Sequence, residues 1–570
     1  MSPAFKPYPF SRRAFSSSLP PLHQGIERGR RPIVVVGAGP VGLTTALAVA
    51  QHGVPVVLIE ADDSVCVGSR AICISRRSLE ILGRVGAADE FLRVGLPWTG
   101  GRSFYRDQEV LHFKMPQDEN QKLPPMINLA QYQMEQILLD RAGQMPELVD
   151  IRWQTKVTAI HPCNDLVRLT LSTPLGDYQL EADWVVAADG GRSFVRDALG
   201  LTLRGTSYEG RYVIVDISLD SQRPTERLAY FDPPSNPGST VLVHKQPGDV
   251  WRIDYQLREG ENPEEAVKLE NVAPRVSSLL TMLDERAPWS PIWIGIYKAN
   301  ALTLERYRHG RVLFAGDAAH LLPIFGVRGA NSGIDDADNL AWKLALVIRG
   351  LASERLLDSY SDERVAAAHE NLRHGTKSTE FMAPPSFAFD LMRRAVLGLA
   401  VKHERVRSLI NPRQTSAITY SASPLNTGLD QSAAFATGPV PGAVLAECPL
   451  TIVRDVASPE PRQGHLTDLI APCFTVLYFC ERGHLSAEIL ELEQVMKARE
   501  APFRVVPLTR RPDPACARMQ GWDHSGRLFP LYGAQPGTMY LVRPDGHVLA
   551  RWFKASAGEI AAAIEHVLHP

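Results

Sequence analysis

A glycine loop, an Asp-Gly pair and a Gly-Asp pair lie at three distant points of this 570-residue chain, and all three could fold onto one cofactor. Gly37-Ala38-Gly39-Pro40-Val41-Gly42 follows the apolar, β-branched run Ile33 to Val36. In such a loop the first glycine allows a tight turn, the second lets the backbone approach a pyrophosphate, and the third lets a helix pack on a strand. The helix that starts at Pro40-Val41 then presents free N–H groups and a partial positive charge to the phosphates. Glu60 ends the next apolar run, Val56 to Ile59, where an acid can hydrogen-bond ribose hydroxyls and disfavours a 2′-phosphate, leaving NAD or FAD. Asp189-Gly190 follows the run Trp184 to Ala188, and Gly316-Asp317 follows Val312 to Ala315. Asp317 leaves an apolar strand where its carboxylate could reach ribityl hydroxyls. The turn beyond it, with Pro323, Gly326, Gly329, Asn331 and Gly333, brings N–H groups and a helix N-terminus towards an anionic ring edge. Asn331 is placed to cap that helix and to donate to the ring. Three segments converging on one ligand point to FAD. Taken alone, Asp189-Gly190 fits a plain turn equally well, with Arg192 and Arg196 solvated, and His320 reads as a packed or surface residue.

Periodicity supplies the elements that would place these groups. Residues 33–36, 41–52 and 56–59 read as a strand, a helix and a strand, a βαβ unit, with Gly53 where a helix end tolerates positive φ. A helix is expected near 76–93 and another over 131–145. Residues 97–125 read as sheet or lid, and short β runs fill 150–187. Residues 205–300 form a second β-rich region, in which Val250 to Leu257 alternates. That alternation puts Arg252, Asp254 and Gln256 on one face and Trp251, Ile253 and Tyr255 on the other. Helix returns over about 331–405. The fold class expected is α/β (α+β): a Rossmann-like FAD-binding unit over 31–410, interleaved with a substrate-domain sheet at about 97–130 and 205–300.

Residues 1–30 form a Pro/Ser/Arg-rich arm, and 411–442 a linker. In 443–570 the order βαβ…ββα, with a hairpin around Arg543-Pro544-Asp545-Gly546, resembles a thioredoxin-like fold. Cys480 is followed by Glu481, Arg482 and Gly483, so there is no Cys-x-x-Cys, and a structural or oligomerisation role is expected.

The length calls for two or three domains. A net charge of -2 leaves no basic footprint for nucleic acid. Seven cysteines without metal-ligand spacing fit a reducing compartment. Ser11-Arg12-Arg13 lacks the apolar segment of an export signal, and the uncharged run Pro32 to Ala50 is interrupted by glycine and proline. A cytoplasmic protein without membrane spans is therefore expected.

With Ser69-Arg70-Ala71, Gln131, the run Asp189 to Arg196, and Gly316-Asp317 through Asn339-Leu340-Ala341-Trp342-Lys343-Leu344, the chain resembles the single-component flavin-dependent aromatic hydroxylases. This is the family of p-hydroxybenzoate hydroxylase, phenol hydroxylase and 3-(3-hydroxyphenyl)propionate hydroxylase, and the resemblance covers roughly residues 31–400. Its larger members add a C-terminal thioredoxin-like domain, matching 443–570. The resemblance implies that Glu60 binds the adenosine ribose, Arg70 lies along the pyrophosphate and Gln131 reaches the ribityl chain. It also implies that Asp189 with Gly190 supports a groove shared by FAD and transient NAD(P)H, and that Asp317 binds the ribityl hydroxyls. Gly326, Arg328, Gly329, Ala330 and Asn331 then contact the isoalloxazine. NAD(P)H would reduce the flavin, O₂ would add to give a C4a-hydroperoxide, and the distal oxygen would pass to a phenolic ring. The protein would hold the ring, draw off its phenolic proton and exclude water.

Where many members of that family have two prolines, this chain has Pro323-Ile324 and then Phe325, implying a bulkier apolar pocket whose turn carbonyl still orients a substrate hydroxyl. Tyr230 resembles the family's phenol-activating tyrosine by its Leu228-Ala229-Tyr230 setting, against packing on the sheet as the plainer reading. Arg252 could bind a substrate carboxylate or simply pair with an aspartate, and His244 is a further candidate. Other chemistry on the same fold, an epoxidase or reductase, or a flavin-bearing ligand sensor without turnover, remain as alternatives. A small aromatic substrate and a homodimer are the expected partners.

Overall fold

The computed structural model describes residues 4–258, 260–323, 325–410, 414–426, 428–453, 460–512 and 518–570. Its first layer is a parallel sheet in the order 149–152, 56–59, 31–36, 176–187 and 312–314. These strands are continuously apolar because both faces are covered, as parallel sheets require. Ile33, Val34, Val35, Leu58, Val185, Val186 and Leu313 are fully buried. The helices Pro40–Ala50 and Gly329–Ile348 pack on one face, and Val41 seats against two glycines. A Cβ at Gly316 or Gly333 would lie 2.9 or 2.5 Å from Val41 Cγ2, so only glycine permits this approach. All three glycine-bearing segments thereby reach one edge of the sheet, beyond the carboxyl ends of its strands.

The second layer is an eight-stranded sheet in the order 320–321, 289–303, 204–219, 250–256, 240–246, 227–231, 100–105 and 108–114. One face packs against the helix Leu269–Met282, which the sequence reading placed within continuous β structure. The apolar spacing of Val272, Val276, Leu279 and Leu280 was the helical signal there, partly hidden by Pro274. The other face looks towards the parallel sheet.

The arm is pinned across both layers. Phe15 stacks on Trp153 with ring centroids 4.5 Å apart, Tyr8 lies 4.7 Å from the Tyr132 ring, and Tyr8 Oη donates to Asp216 Oδ2 at 3.1 Å. The expected helix at 76–93 is broken into Arg76–Arg84 and Ala88–Val94, with Gly86 at φ +76 between them.

The C-terminal strands form a seven-stranded sheet of their own, with 474–480 parallel to 503–509 and antiparallel to 539–542. It is joined to the rest by a buried charged cluster. Arg543 Nη1 donates to Glu363 Oε1 at 2.6 Å, Lys343 Nζ to Glu363 Oε2 at 2.7 Å, and Trp342 Nε1 to Asp545 Oδ2 at 3.0 Å. Removing one member of such a cluster costs about 3–5 kcal/mol, because the others stay buried without a counter-charge. The helix Gly329–Ile348 is thus held at its C-terminal half by this sheet while its N-terminus faces the cleft described next. No described helix is long and apolar enough to cross a membrane.

Candidate active site

Between the two layers lies a cleft, open to solvent, of about 320 Å³. Its first wall is the glycine loop. Gly37 has φ +101, and a Cβ there would come 2.6 Å from the Ala188 carbonyl. A Cβ on Gly42 would come 1.8 Å from the Gly37 carbonyl, so the third glycine is sterically obligatory. Gly39 has nothing within 4 Å of its missing Cβ and lines the cleft with Pro40 and Val41. The loop therefore offers a bare, open backbone at the start of a helix, which is what a pyrophosphate needs. Gly329, also lining the cleft, is bare in the same way. The bare backbone at these two glycines leaves room for FAD to approach the main chain of both helix starts.

The acids expected to hold the cofactor divide into two kinds. Asp317 extends its carboxylate, still exposed, into the cleft, where the enclosing walls raise its pKa against the opposing pull of His320 and Arg70. Asp189 does not line the cleft. Its Oδ1 accepts from Ser193 Oγ at 2.6 Å and its Oδ2 from Val195 N at 3.0 Å, so it holds the cap residue Ser193 and the first turn of the helix Phe194–Ala198, and leaves Gly190 and Gly191 to line the wall. Glu60 accepts from Ala38 N at 2.7 Å and Asp62 N at 3.0 Å, which closes the glycine loop, while burial raises its pKa. Arg70 and Gln131 line the cleft, and Gln131 also accepts from Ala71 N at 3.3 Å.

The expectation that the Asn331 side chain donates to the ring is corrected. Its Nδ2 donates to Cys73 O at 3.0 Å and Val327 O at 2.8 Å, and its Oδ1 accepts from Ser75 N at 2.9 Å and Ser78 Oγ at 2.7 Å. All four sites of the amide are filled from within the protein. What Gly329, Ala330 and Asn331 offer the cleft is the first turn of a helix that has no side-chain cap, where backbone N–H groups have no intrahelical acceptor. Arg328 lines the cleft too, and its Nη1 donates to Asn371 Oδ1 at 2.8 Å. Gly326 (φ +92) and Val327 (φ +60) precede this turn; positive φ in a β-branched residue is strained and is kept where the surrounding structure holds it.

The three substrate candidates fare differently. Tyr230 lies on the far face of the second sheet, stacked on Phe104 at 4.8 Å, where burial pushes its hydroxyl up to about 12. The alternation that puts Ala229 towards the cleft turns Tyr230 away. Pro323 packs against Gly375 and does not line the cleft, whereas its neighbour Leu322 does. Ile324 lies outside the described residues, and Phe325 is fully buried against Tyr212 at 5.4 Å, so its bulk goes into the core and not into the cleft. Arg252 does line the cleft, but its donors are committed. Nε and Nη2 bind Asp216 at 2.9 and 3.0 Å, Nη1 reaches Arg70 O at 3.0 Å, and Nη2 also reaches Ser69 O. It pairs with Asp216 in a dry interior and pins the segment that carries Arg70.

The floor holds groups that carried little or no weight in the sequence. Arg227, His244 and Asp254 line the cleft and are each less than a tenth exposed. Burial pushes the Asp254 carboxyl up to about 7, and burial together with Arg227 and Arg252 holds His244 well below the usual histidine range. Arg227 Nη1 donates to Gln414 Oε1 at 3.1 Å, so a residue of the expected linker returns to the site. Ile72, Ile214, Leu242, Leu322 and Val327 make the rest of this end apolar. Groups suited to a nucleotide thus sit at one end of the cleft, and an apolar chamber with ionisable groups at the other.

A model of the FAD binding domain family matches residues 30–374. Among curated relatives, the chain is 29% identical to 6-methylpretetramide 4-monooxygenase of Streptomyces rimosus over 94% of this chain and 93% of that one. It is 32% identical to 3-(3-hydroxy-phenyl)propionate/3-hydroxycinnamic acid hydroxylase of Escherichia coli (strain K12) over 62% of each. Among solved structures, the fold is shared with aklavinone-11 hydroxylase in a ternary complex with FAD and aklavinone. The TM-score is 0.74 at 24% identity, covering 95% of this chain and all of that one.

Proposed function

Since this chain belongs to the FAD binding domain family, we propose that it is an FAD-dependent monooxygenase that uses NAD(P)H and O₂ to hydroxylate a phenolic small molecule. The observation that carries the reading is the single cleft, with bare glycine backbone at one end and buried ionisable groups among apolar side chains at the other. The full-length relative's name, a monooxygenase, and the second relative's, a hydroxylase of hydroxyphenyl acids, support the same reaction class. FAD, once reduced, supplies the activated oxygen. The residues of this chain do the remainder. Gly39 and the Pro40–Ala50 helix bind the pyrophosphate, Asp317 and Gln131 hold the ribityl chain, and the free N–H groups of Gly329 to Asn331 face the ring's anionic edge. Ile72, Ile214, Leu242, Leu322 and Val327 exclude water from the substrate ring.

The C-terminal unit is read as thioredoxin-like from its parallel 474–480/503–509 pair and the antiparallel 539–542/548–552 hairpin beside it. Its role in this proposal is to brace the Gly329–Ile348 helix through Arg543 and Asp545.

The test is a phenol panel scored for NAD(P)H oxidation by the FAD-loaded protein, with hydrogen peroxide measured in parallel. A phenol that stimulates oxidation with oxygenated product and little peroxide supports the assignment. Failure to bind FAD, or oxidation that no phenol stimulates, removes it.

A further inference from the structure

The second sheet lines up polar residues across four strands. His244 pairs with Arg252, Arg252 with Asp216, and Leu242 with Asp254, while Leu228 pairs with Val243, which sets Arg227 beside His244 at the end of the row. In a buried floor such a row should be self-satisfied. Arg252 and Asp216 are, through their paired hydrogen bonds. Arg227 Nε, His244 Nδ1 and Asp254 Oδ1 are buried without a hydrogen-bond partner among the described residues. Each such atom is unfavourable to bury unless a ligand or water completes it. All three residues line the same chamber, and Arg227 and Asp254 lie close enough to act electrostatically on each other.

Resting on the reading above as an aromatic hydroxylase, we infer that Arg227 and His244 hold one acidic oxygen of the substrate, phenolic or enolic, and that Asp254 is the base that takes its proton. Charge selects this class of ligand. Beside the Arg252–Asp216 pair, the floor of the chamber carries the cation Arg227 and the carboxylate Asp254. A phenol that passes its proton from oxygen to an Asp254 carboxylate oxygen becomes a phenolate beside Arg227 and leaves a neutral carboxylic acid, so the chamber's net charge is unchanged. A substrate carboxylate at that position would instead bring a second anion into a buried site, unless it carried its own proton. His244, kept neutral by burial and two arginines, can donate one hydrogen bond to the phenolate. The groups facing Asp254 are Arg227, Arg252 with Asp216, and the thiol of Cys73, which burial pushes up to about 12 and so keeps protonated. With Asp254 at about 7, the base is half ionised near neutral pH, where a general base works best.

The experiment uses FAD-loaded protein with 4-nitrophenol and 1,8-dihydroxyanthraquinone, whose spectra report ionisation, and compares wild type with Asp254→Asn and Arg227→Gln. At pH 8, where Asp254 is mostly ionised, the wild type is expected to bind a probe that is neutral in solution as its anion without releasing a proton to the buffer. Asp254→Asn can hold the same anion beside Arg227 only by releasing that proton to bulk, so its binding should release about one proton. Its turnover with an active phenol should fall about 100-fold at pH 7 and recover as bulk base ionises the phenol at higher pH. Arg227→Gln should weaken binding at least about tenfold. Retention of FAD absorbance and of the unfolding midpoint shows that a variant is folded. The inference is overturned if wild type binds neither probe as an anion, or if Asp254→Asn binds the anion without releasing a proton and keeps the wild-type pH profile. Phenol-stimulated NAD(P)H oxidation by wild type with unaffected variants overturns this inference alone; its absence in wild type overturns the reading beneath it.

Discussion

At the cofactor end of the cleft, Asp189, Glu60 and Asn331 make their hydrogen bonds within the protein, while Asp317, Arg70 and Gln131 line the space. Asp189 is filled by Ser193 and Val195, Glu60 by Ala38 and Asp62, and Asn331 by four partners. Beside Asp317, Arg70 and Gln131, what faces the space is backbone bared by Gly39 and Gly329. At the substrate end the pattern reverses. The backbone is paired in a ladder, and the side chains of Arg227, His244 and Asp254 carry the unpaired atoms. A common phosphate ligand can be met by N–H groups that any sequence possesses, provided glycine keeps the approach clear. A particular ring has to be met by side chains, whose unpaired atoms cost stability until the ligand arrives.

The largest expected effect breaks the backbone side of this contrast. Gly42→Ala puts a Cβ 1.8 Å from the Gly37 carbonyl, and the neighbours are main chain that cannot rotate away. Overpacking of this kind costs about 3 kcal/mol, so FAD affinity should fall at least about 100-fold and the protein should purify colourless. Wild-type flavin absorbance would show that the loop can be rebuilt and that its geometry is not what binds.

The next effect tests the cost of the unpaired side chains. Asp254 titrates at about 7 in the fold against 3.8 for an unperturbed aspartate. The folded protein therefore binds more protons than the unfolded chain between those values, and stability falls as pH rises from about 4 to 7. Asp254→Asn cannot ionise and escapes this loss. Chemical denaturation of the FAD-loaded protein should find the variant gaining on wild type by at least about 1.4 kcal/mol between pH 5 and 8, one pKa unit's worth. A difference constant with pH would mean that Asp254 is already compensated. Glu60→Gln ranks below it: an amide N–H would face the Ala38 or Asp62 N–H, costing about 1 kcal/mol and weakening FAD by roughly tenfold without touching phenol ionisation. A changed probe spectrum in that variant would blur the two ends of the cleft.

The two ends also differ in how far the sequence reveals them. Gly37, Gly39 and Gly42 do their work within a few residues, so steric need leaves a local trace, and Gly316-Asp317 after an apolar strand is legible in the same way. The floor depends on cross-strand register. Arg227, His244, Arg252 and Asp216 become neighbours only when four strands align, and no spacing in the chain announces that order. Asn331 reads as a helix cap because of its position, yet its partners Cys73, Ser75 and Ser78 lie some 250 residues away. Gln414 looks like linker composition and closes on Arg227. The brace formed by Glu363, Arg543 and Asp545 was equally hidden, because a buried ion cluster and a solvated charge run have the same residue types.

Tyr230→Phe carries the smallest expected change, and it tests the orientation of the floor. The ladder pairs Ala229 with Leu242, which lines the cleft, and Tyr230 with Val241, which does not. Tyr230 packs with Val241, Val243 and Tyr255 on the face covered by the Leu269–Met282 helix, and its ring stacks on Phe104. Phenylalanine keeps that ring and loses only the hydroxyl, so stability should move by no more than about 1 kcal/mol. Turnover and the ionisation of bound 4-nitrophenol should stay within about twofold of wild type, since a factor of ten corresponds to 1.36 kcal/mol of barrier. A fall in turnover of tenfold or more, at unchanged flavin content, would mean that the sheet presents its other face to the substrate during the reaction. The base would then have to be sought along Leu228, Tyr230 and Tyr255 instead of Asp254.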